Sequence, residues 1–259
     1  MPEVTSAGAR IGYRVDGPDS APALVFSNSL GSDLDLWQPQ LTPCSGAFRV
    51  IRYDQRGHGR SSAPPGPYTL DQLGRDAVAV LDAVGVPQAH FVGISIGGLT
   101  GMWLGIHAPE RVSRLVLANT GAKIGTDETW SQRIQAVRTQ GLAAIADSVL
   151  ARWFTPGFAA ARPDVVASIR KTFVACPPEG YIGCCEALRS ADLRDPVGSI
   201  SLPTLIIIGS FDQSTPPALG QELHSRIADS SLVELAAAHI SNVEQSDNFT
   251  QAILGFLRS

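Results

Sequence analysis

Short apolar runs rich in β-branched residues recur along the chain at Ala23–Ser27, Phe48–Tyr53, Ala89–Val92, Arg114–Ala118, Thr204–Ile208 and Ser231–Leu235. Their length and near-continuous hydrophobicity predict strands of one mostly parallel sheet. Between the second and third runs the period changes to that of a helix, with Leu70, Leu73, Ala77, Leu81 and Val84 on one face. Thr69 and Gln72 form a capping box at its start, and Gly85 with Pro87 supplies its stop. This alternation of strand and helix predicts an α/β fold with right-handed crossovers. Val4–Ala7 and Arg10–Val15, broken at Gly8, predict a hairpin ahead of it.

The pattern changes after Thr120. From about Ala122 to Val197 no strand run occurs, and the segment is helical in character, punctuated by Pro156, Pro163, Pro177, Pro178 and Pro196. Strand signals resume at Thr204. The expected organisation is a core of residues 1–121 and 198–259 with a helical cap, 122–197, inserted between two strands. Such an insert suits a lid, because the carboxyl ends of parallel strands carry the ligand crevice. A surface insertion without catalytic role is the alternative.

A chain of 259 residues can bury a sizeable core as one large α/β domain. A formal charge of −4 without any cluster of Lys and Arg argues against a nucleic-acid partner and leaves a small molecule as the expected ligand. The apolar stretch Ala89–Ala108 carries Ser95, Thr100, two histidines and five glycines, so it reads as strand, turn and buried helix rather than a membrane span. Met1–Gly8 shows no signal-peptide pattern. Cys44, Cys176, Cys184 and Cys185 lack zinc-site spacing, which suits reduced thiols in a cytoplasm.

Gly93, Ile94, Ser95, Ile96 and Gly97 form a GxSxG sequence between a predicted strand and a predicted helix. That context is what a nucleophilic serine needs: a tight turn to raise the hydroxyl, a base beside it, and backbone N–H groups for the oxyanion. In such a sheet the chain order is serine, acid, histidine. Among His58, His90, His107, His224 and His239, only His239 follows the last strand. Asp212 ends the Thr204–Phe211 run and is the matching acid, since Asn119, Thr120 and Gly121 at the end of the preceding strand offer no carboxylate. Ile96 and, in the loop after Ala23–Ser27, Leu30 are the expected oxyanion N–H donors. Asp54, Arg56, Gly57, His58 and Gly59 do not make a dinucleotide loop. Position 62 is serine, and Pro64, Pro65 and Pro67 stand where a helix would start, so a structural turn beside the crevice is expected.

Taken together, these residues resemble the α/β-hydrolase family over essentially the whole chain. Phe26–Gly31, Arg52–Gly59, Gly66–Leu70, Val116–Thr120, Arg152–Thr155 and His239–Glu244 are similar, within it, to the 3-oxoadipate enol-lactonases. The elbow departs from that group in reading Ile94, Ser95, Ile96 where Leu, Ser, Met is expected, and Gln55 stands where Thr is common. The resemblance implies a cytoplasmic, cofactor-independent hydrolase of aromatic catabolism that opens an enol lactone in the β-ketoadipate pathway, with no metal and no membrane partner. It also implies a substrate carboxylate and hence a cation near the site. Arg133 is the candidate, because it lies at the edge of the Trp130, Ile134, Val137 stripe, with Trp130 and Trp153 as possible pocket walls. A carboxylesterase for small esters, with or without perhydrolase activity, is the nearest alternative, and a non-enzymatic binding protein of the same fold is another. An aspartate nucleophile would be needed for dehalogenase or epoxide-hydrolase chemistry, and Ser95 holds that place.

Overall fold

The computed structural model of the chain describes residues 1–258. Eight strands form one sheet: β1 (Glu3–Ser6), β2 (Ala9–Asp16), β3 (Ala23–Ser27), β4 (Arg49–Tyr53), β5 (Ala89–Ile94), β6 (Val112–Ala118), β7 (Thr204–Gly209) and β8 (Ser230–Leu235). Their order across the sheet is β1-β2-β4-β3-β5-β6-β7-β8. The β1–β2 and β2–β4 pairs are antiparallel, and every pair from β4 onward is parallel. The α/β fold class read from the sequence is therefore the observed one. β3 and β7 are buried at every position, which is why they read as unbroken apolar runs. The edge strand β8 alternates more in burial.

Strand bounds differ from the expected ones where polar or small residues blur the pattern. β5 runs on to Ile94 and β6 starts at Val112. The first hairpin turns at Ala7 and Gly8, both with positive φ, so β1 stops at Ser6.

Helices α1 (Gln38–Ser45), α2 (Leu70–Ala83) and α3 (Ile96–His107) lie between the strands of the first half. α2 carries the expected Thr69–Gln72 capping box. A bidentate ion pair at 2.6 Å joins Arg56, just after β4, to Asp76 on α2, with both side chains about 1 % exposed. Five helices occupy the interval between β6 and β7: α4 (Asp127–Gln140), α5 (Leu142–Trp153), α6 (Pro156–Ala161), α7 (Pro163–Ala175) and α8 (Pro178–Ser190). Pro156, Pro163 and Pro178 open α6, α7 and α8, where a missing N–H costs nothing and the fixed φ suits the first turn. α4 packs on α8 and α5 on α7. After β7 come α9 (Pro217–Arg226), then β8, α10 (Ser241–Glu244) and α11 (Ser246–Leu257).

Parallel register aligns the carboxyl ends of β3, β5, β6 and β7: Ser27 pairs with Gly93, Ile94 with Ala118, and Ala118 with Ile207. The loops that follow these ends therefore gather on one rim of the sheet. Among the described residues no helix is long and apolar enough to cross a membrane.

Candidate active site

Ser95 is the turn between β5 and α3. Its φ of 59° and ψ of −120° put a non-glycine residue in a sparsely populated region, a strain the surroundings must hold. The chain can fold that tightly only because its neighbours lack a Cβ. A Cβ on Gly93 would stand 2.1 Å from the Gly97 carbonyl oxygen, and one on Gly97 would stand 2.2 Å from the Ser27 carbonyl oxygen. The Ser95 N–H donates to the Ala118 carbonyl at 3.0 Å, and its own carbonyl accepts from Thr120 Oγ1 at 2.8 Å. Both anchors come from β6 and its loop. The Ser95 hydroxyl itself makes no hydrogen bond among the described residues and faces a cavity that His239 also lines.

Asp212 lies in the turn after β7, and His239 in the loop after β8. His239 Nδ1 stands 2.9 Å from Asp212 Oδ2. The carboxylate is saturated with donors. Oδ1 accepts from the N–H groups of Ser214 and Thr215 at 2.8 and 2.9 Å, and Oδ2 accepts from Thr215 Oγ1 at 2.6 Å and Asn119 Nδ2 at 3.0 Å. Burial alone would push its pKa up, but the adjoining His239 and these hydrogen bonds outweigh it and hold the carboxyl at about 2. Asn119, which the sequence reading set aside for lacking a carboxylate, instead supports the acid: its amide also reaches the Ala238 carbonyl, and its Oδ1 accepts from the Ser241 hydroxyl.

Two amides near Ser95 have no acceptor among the described residues. Ile96 is the first residue of α3, whose N–H has no partner within the helix, and Leu30 lies in the loop after β3; neither N–H is hydrogen-bonded among the described residues. The Leu30 loop is braced from behind by the segment after β4. His58 Nε2 accepts the Gly31 N–H at 2.9 Å, and Gln55 Nε2 donates to the Asn28 carbonyl at 2.7 Å. Trp37 Nε1 donates to Asn28 Oδ1 at 2.9 Å. Burial pushes the His58 pKa down to about 4, so its imidazole stays neutral and can accept. The Arg56–Gly59 segment is thus a turn that shapes the crevice, and Gln55 is part of the brace.

The cavity over Ser95 measures about 330 Å³. Its walls come from the loops of the sheet and from α4, α5 and α8: Leu30, Ser95 and His239 below, Trp130, Arg133, Val149, Arg152, Trp153 and Tyr181 above. Arg133 does line it, with Nη1 3.3 Å from the Tyr181 hydroxyl and its guanidinium 5.7 Å from the Trp130 ring centre. Trp130 and Trp153 line it as well. Arg152 was missed from sequence, although Val149, Arg152 and Trp153 follow the i, i+3, i+4 spacing of one helix face. A larger open groove of about 650 Å³ crosses Phe154, Phe158 and Phe211; it shares Gln213 with the cavity but contains neither Ser95 nor His239.

The insert is fastened to the histidine loop at one joint. Ile240 N donates to the Trp153 carbonyl at 3.1 Å, and Glu244 accepts from the Thr155 N–H and hydroxyl and from the Ala238 N–H, the last at 2.9 Å. All four cysteines are buried and unpaired.

A serine on a strained strand-to-helix turn, at the carboxyl rim of this sheet and sharing a cavity with a histidine backed by a carboxylate, defines a class, and the chain belongs to the α/β-hydrolase family. The family profile described as alpha/beta hydrolase fold matches residues 22–148. The chain is 48% identical over 250 residues to 3-oxoadipate enol-lactonase 2 of Acinetobacter baylyi, covering 96% of this chain and 94% of that protein. It is 40% identical to 3-oxoadipate enol-lactonase 1 of the same organism, covering 97% and 94%. The crystal structure of the enol-lactonase from Burkholderia xenovorans LB400 superposes with a TM-score of 0.98 at 45% identity, covering all of both chains.

Proposed function

We propose that the protein is a serine ester hydrolase that opens 3-oxoadipate enol-lactone to 3-oxoadipate. The observation that carries this reading is the cavity itself. It joins an unengaged serine hydroxyl, a carboxylate-backed histidine and two arginines without a carboxylate partner in one space, in a chain whose relatives are named for that lactone.

In this reading His239, oriented by Asp212, takes the proton of Ser95 as the hydroxyl oxygen attacks the ring carbonyl. The N–H groups of Leu30 and Ile96 hold the negative charge that develops on that oxygen; each such donor is typically worth about 3 kcal/mol in the transition state. The ring C–O bond then breaks, and the leaving oxygen takes the proton back from His239 as an enol that collapses to the ketone. It stays tethered to the acyl chain, because ring opening releases no second molecule. Water deprotonated by His239 next attacks the ester of Ser95, returning the free serine and a new carboxylate.

Arg133 would hold the carboxylate that the lactone already carries, while Trp130 and Trp153 flank the ring. Residues 122–197 act as a cap on a core of 1–121 and 198–259, excluding bulk water from the acyl-enzyme. Buried, unpaired cysteines suit a reducing cytoplasm. The test is kcat/KM on freshly generated enol lactone beside p-nitrophenyl acetate. A preference of several orders of magnitude for the lactone supports the reading, and comparable values replace it with a general carboxylesterase. Ser95→Ala should lower turnover by about 10⁶-fold, and near-normal activity would remove the serine from the mechanism.

A further inference from the structure

Most arginines of this chain that lie against the protein surface meet a carboxylate, among them Arg10, Arg49, Arg75, Arg111, Arg170 and Arg226. The two that line the Ser95 cavity do not. Arg133 contacts only a phenol and an indole ring, and Arg152 has no hydrogen-bond or ion-pair partner among the described residues. No Asp or Glu lines the cavity. Both side chains are half-buried. Burial first, and then the charge of Arg133, disfavour the Arg152 cation. Its place in the last turn of α5 offsets part of that cost, since carbonyl dipoles there favour a cation, but supplies no anionic oxygen. Two like charges lining one half-buried cavity with no counter-ion are an unfavourable arrangement unless a ligand completes it.

We propose that Arg152 and Arg133 form a two-arginine carboxylate clamp, which makes the cavity specific for acyl compounds that bear a carboxylate remote from the scissile carbonyl. The inference deepens the functional reading above and rests on it only in placing substrate in this cavity. A guanidinium offers a planar fork of donors that matches a carboxylate, and two of them on neighbouring helices can take both oxygens. Such a clamp also predicts that the product stays attracted: hydrolysis adds a second carboxylate at Ser95, so a short dicarboxylate spans the cavity with one end beside the serine and the other in the clamp.

The test is calorimetric titration of adipate into Ser95→Ala protein, with dimethyl adipate as the uncharged control. Adipate should bind and the diester should not. Arg152→Gln in the Ser95→Ala background should weaken adipate by about 10- to 100-fold, the loss of charge-assisted hydrogen bonds from one partner. Arg133→Gln should do the same, and Arg152→Lys should restore part of the affinity, which a merely structural role for the side chain would not predict. Adipate binding that is absent, or that is equal with and without Arg152, overturns the clamp. These titrations do not depend on turnover. A protein that binds adipate through both arginines but hydrolyses the lactone no better than p-nitrophenyl acetate would keep the clamp and lose the lactonase, and a lactone-selective enzyme indifferent to Arg152 would do the reverse.

Discussion

Replacing Asp212 by Asn separates what its charge does for stability from what it does for His239. The gap between an ordinary carboxyl at 3.8 and the value of about 2 at which its surroundings hold Asp212 corresponds to ~2.5 kcal/mol of folding stability at about 1.36 kcal/mol per pH unit. Because the folded-state pKa is the lower one, that stabilisation is complete above the ordinary value and is lost as pH falls toward about 2; near pH 3 roughly half remains. An asparagine amide would also turn an N–H₂ toward Asn119, Thr215 and His239, all of which donate in the native protein. His239 escapes that clash by shifting its proton to Nε2, the atom that accepts from Ser95 in the proposed mechanism. Turnover should therefore fall by about 10⁴-fold while the cavity keeps its shape, the magnitude found when the equivalent carboxylate of a serine protease is made neutral. Urea denaturation of both proteins from pH 7 down to about pH 3 reads the stability difference, and ester hydrolysis reads the turnover. A stability difference that stays constant across that range, or a loss of activity below about tenfold, would refute the argument.

Asp76→Asn leaves the buried Arg56 guanidinium without its counter-charge, and should destabilise the fold by about 3–5 kcal/mol in urea denaturation; a change under 1 kcal/mol would mean water reaches that pair. Glu244→Gln weakens three hydrogen bonds at the joint between the insert and the histidine loop. Stability should drop by about 1–3 kcal/mol, and kcat should fall more than KM rises, because the loop that carries His239 loses its fastening. A thermal shift without any change in kcat would make the joint purely structural. Together with the Ser95→Ala and Arg152→Gln measurements, these variants probe the proposed nucleophile, acid and clamp and the joint separately.

The strands were legible because burial on both faces leaves a continuous apolar run that little else in a soluble chain produces. Ser95, Asp212 and His239 could be placed from topology, since each follows a strand whose carboxyl end faces the same rim; Ser95 and His239 line one cavity, and Asp212 stands behind His239 at 2.9 Å. What could not be read depends on contacts across the chain. Asn119 serves Asp212 as a donor, a role that no carboxylate pattern signals. The amides of Leu30 and Ile96 were, by contrast, expected from their places after β3 and after the serine, and local geometry rather than side-chain identity leaves them free. An arginine within a helix reads as solvated by default, and only the packing of α5 against the site shows that Arg152 faces inward.

The joint where Trp153, Thr155, Ala238 and Glu244 meet has a consequence for how this scaffold can change. Arg152 sits one residue before Trp153, whose carbonyl is bound by the residue after His239. The helix that carries Arg152 and the loop that carries His239 are therefore tied to a shared reference point. α4 and α8, which also wall the cavity, take no part in this joint. Substitutions there can reshape which acyl groups are admitted without moving the arginine relative to the imidazole, which leaves substrate range free to drift while the catalytic spacing is inherited intact.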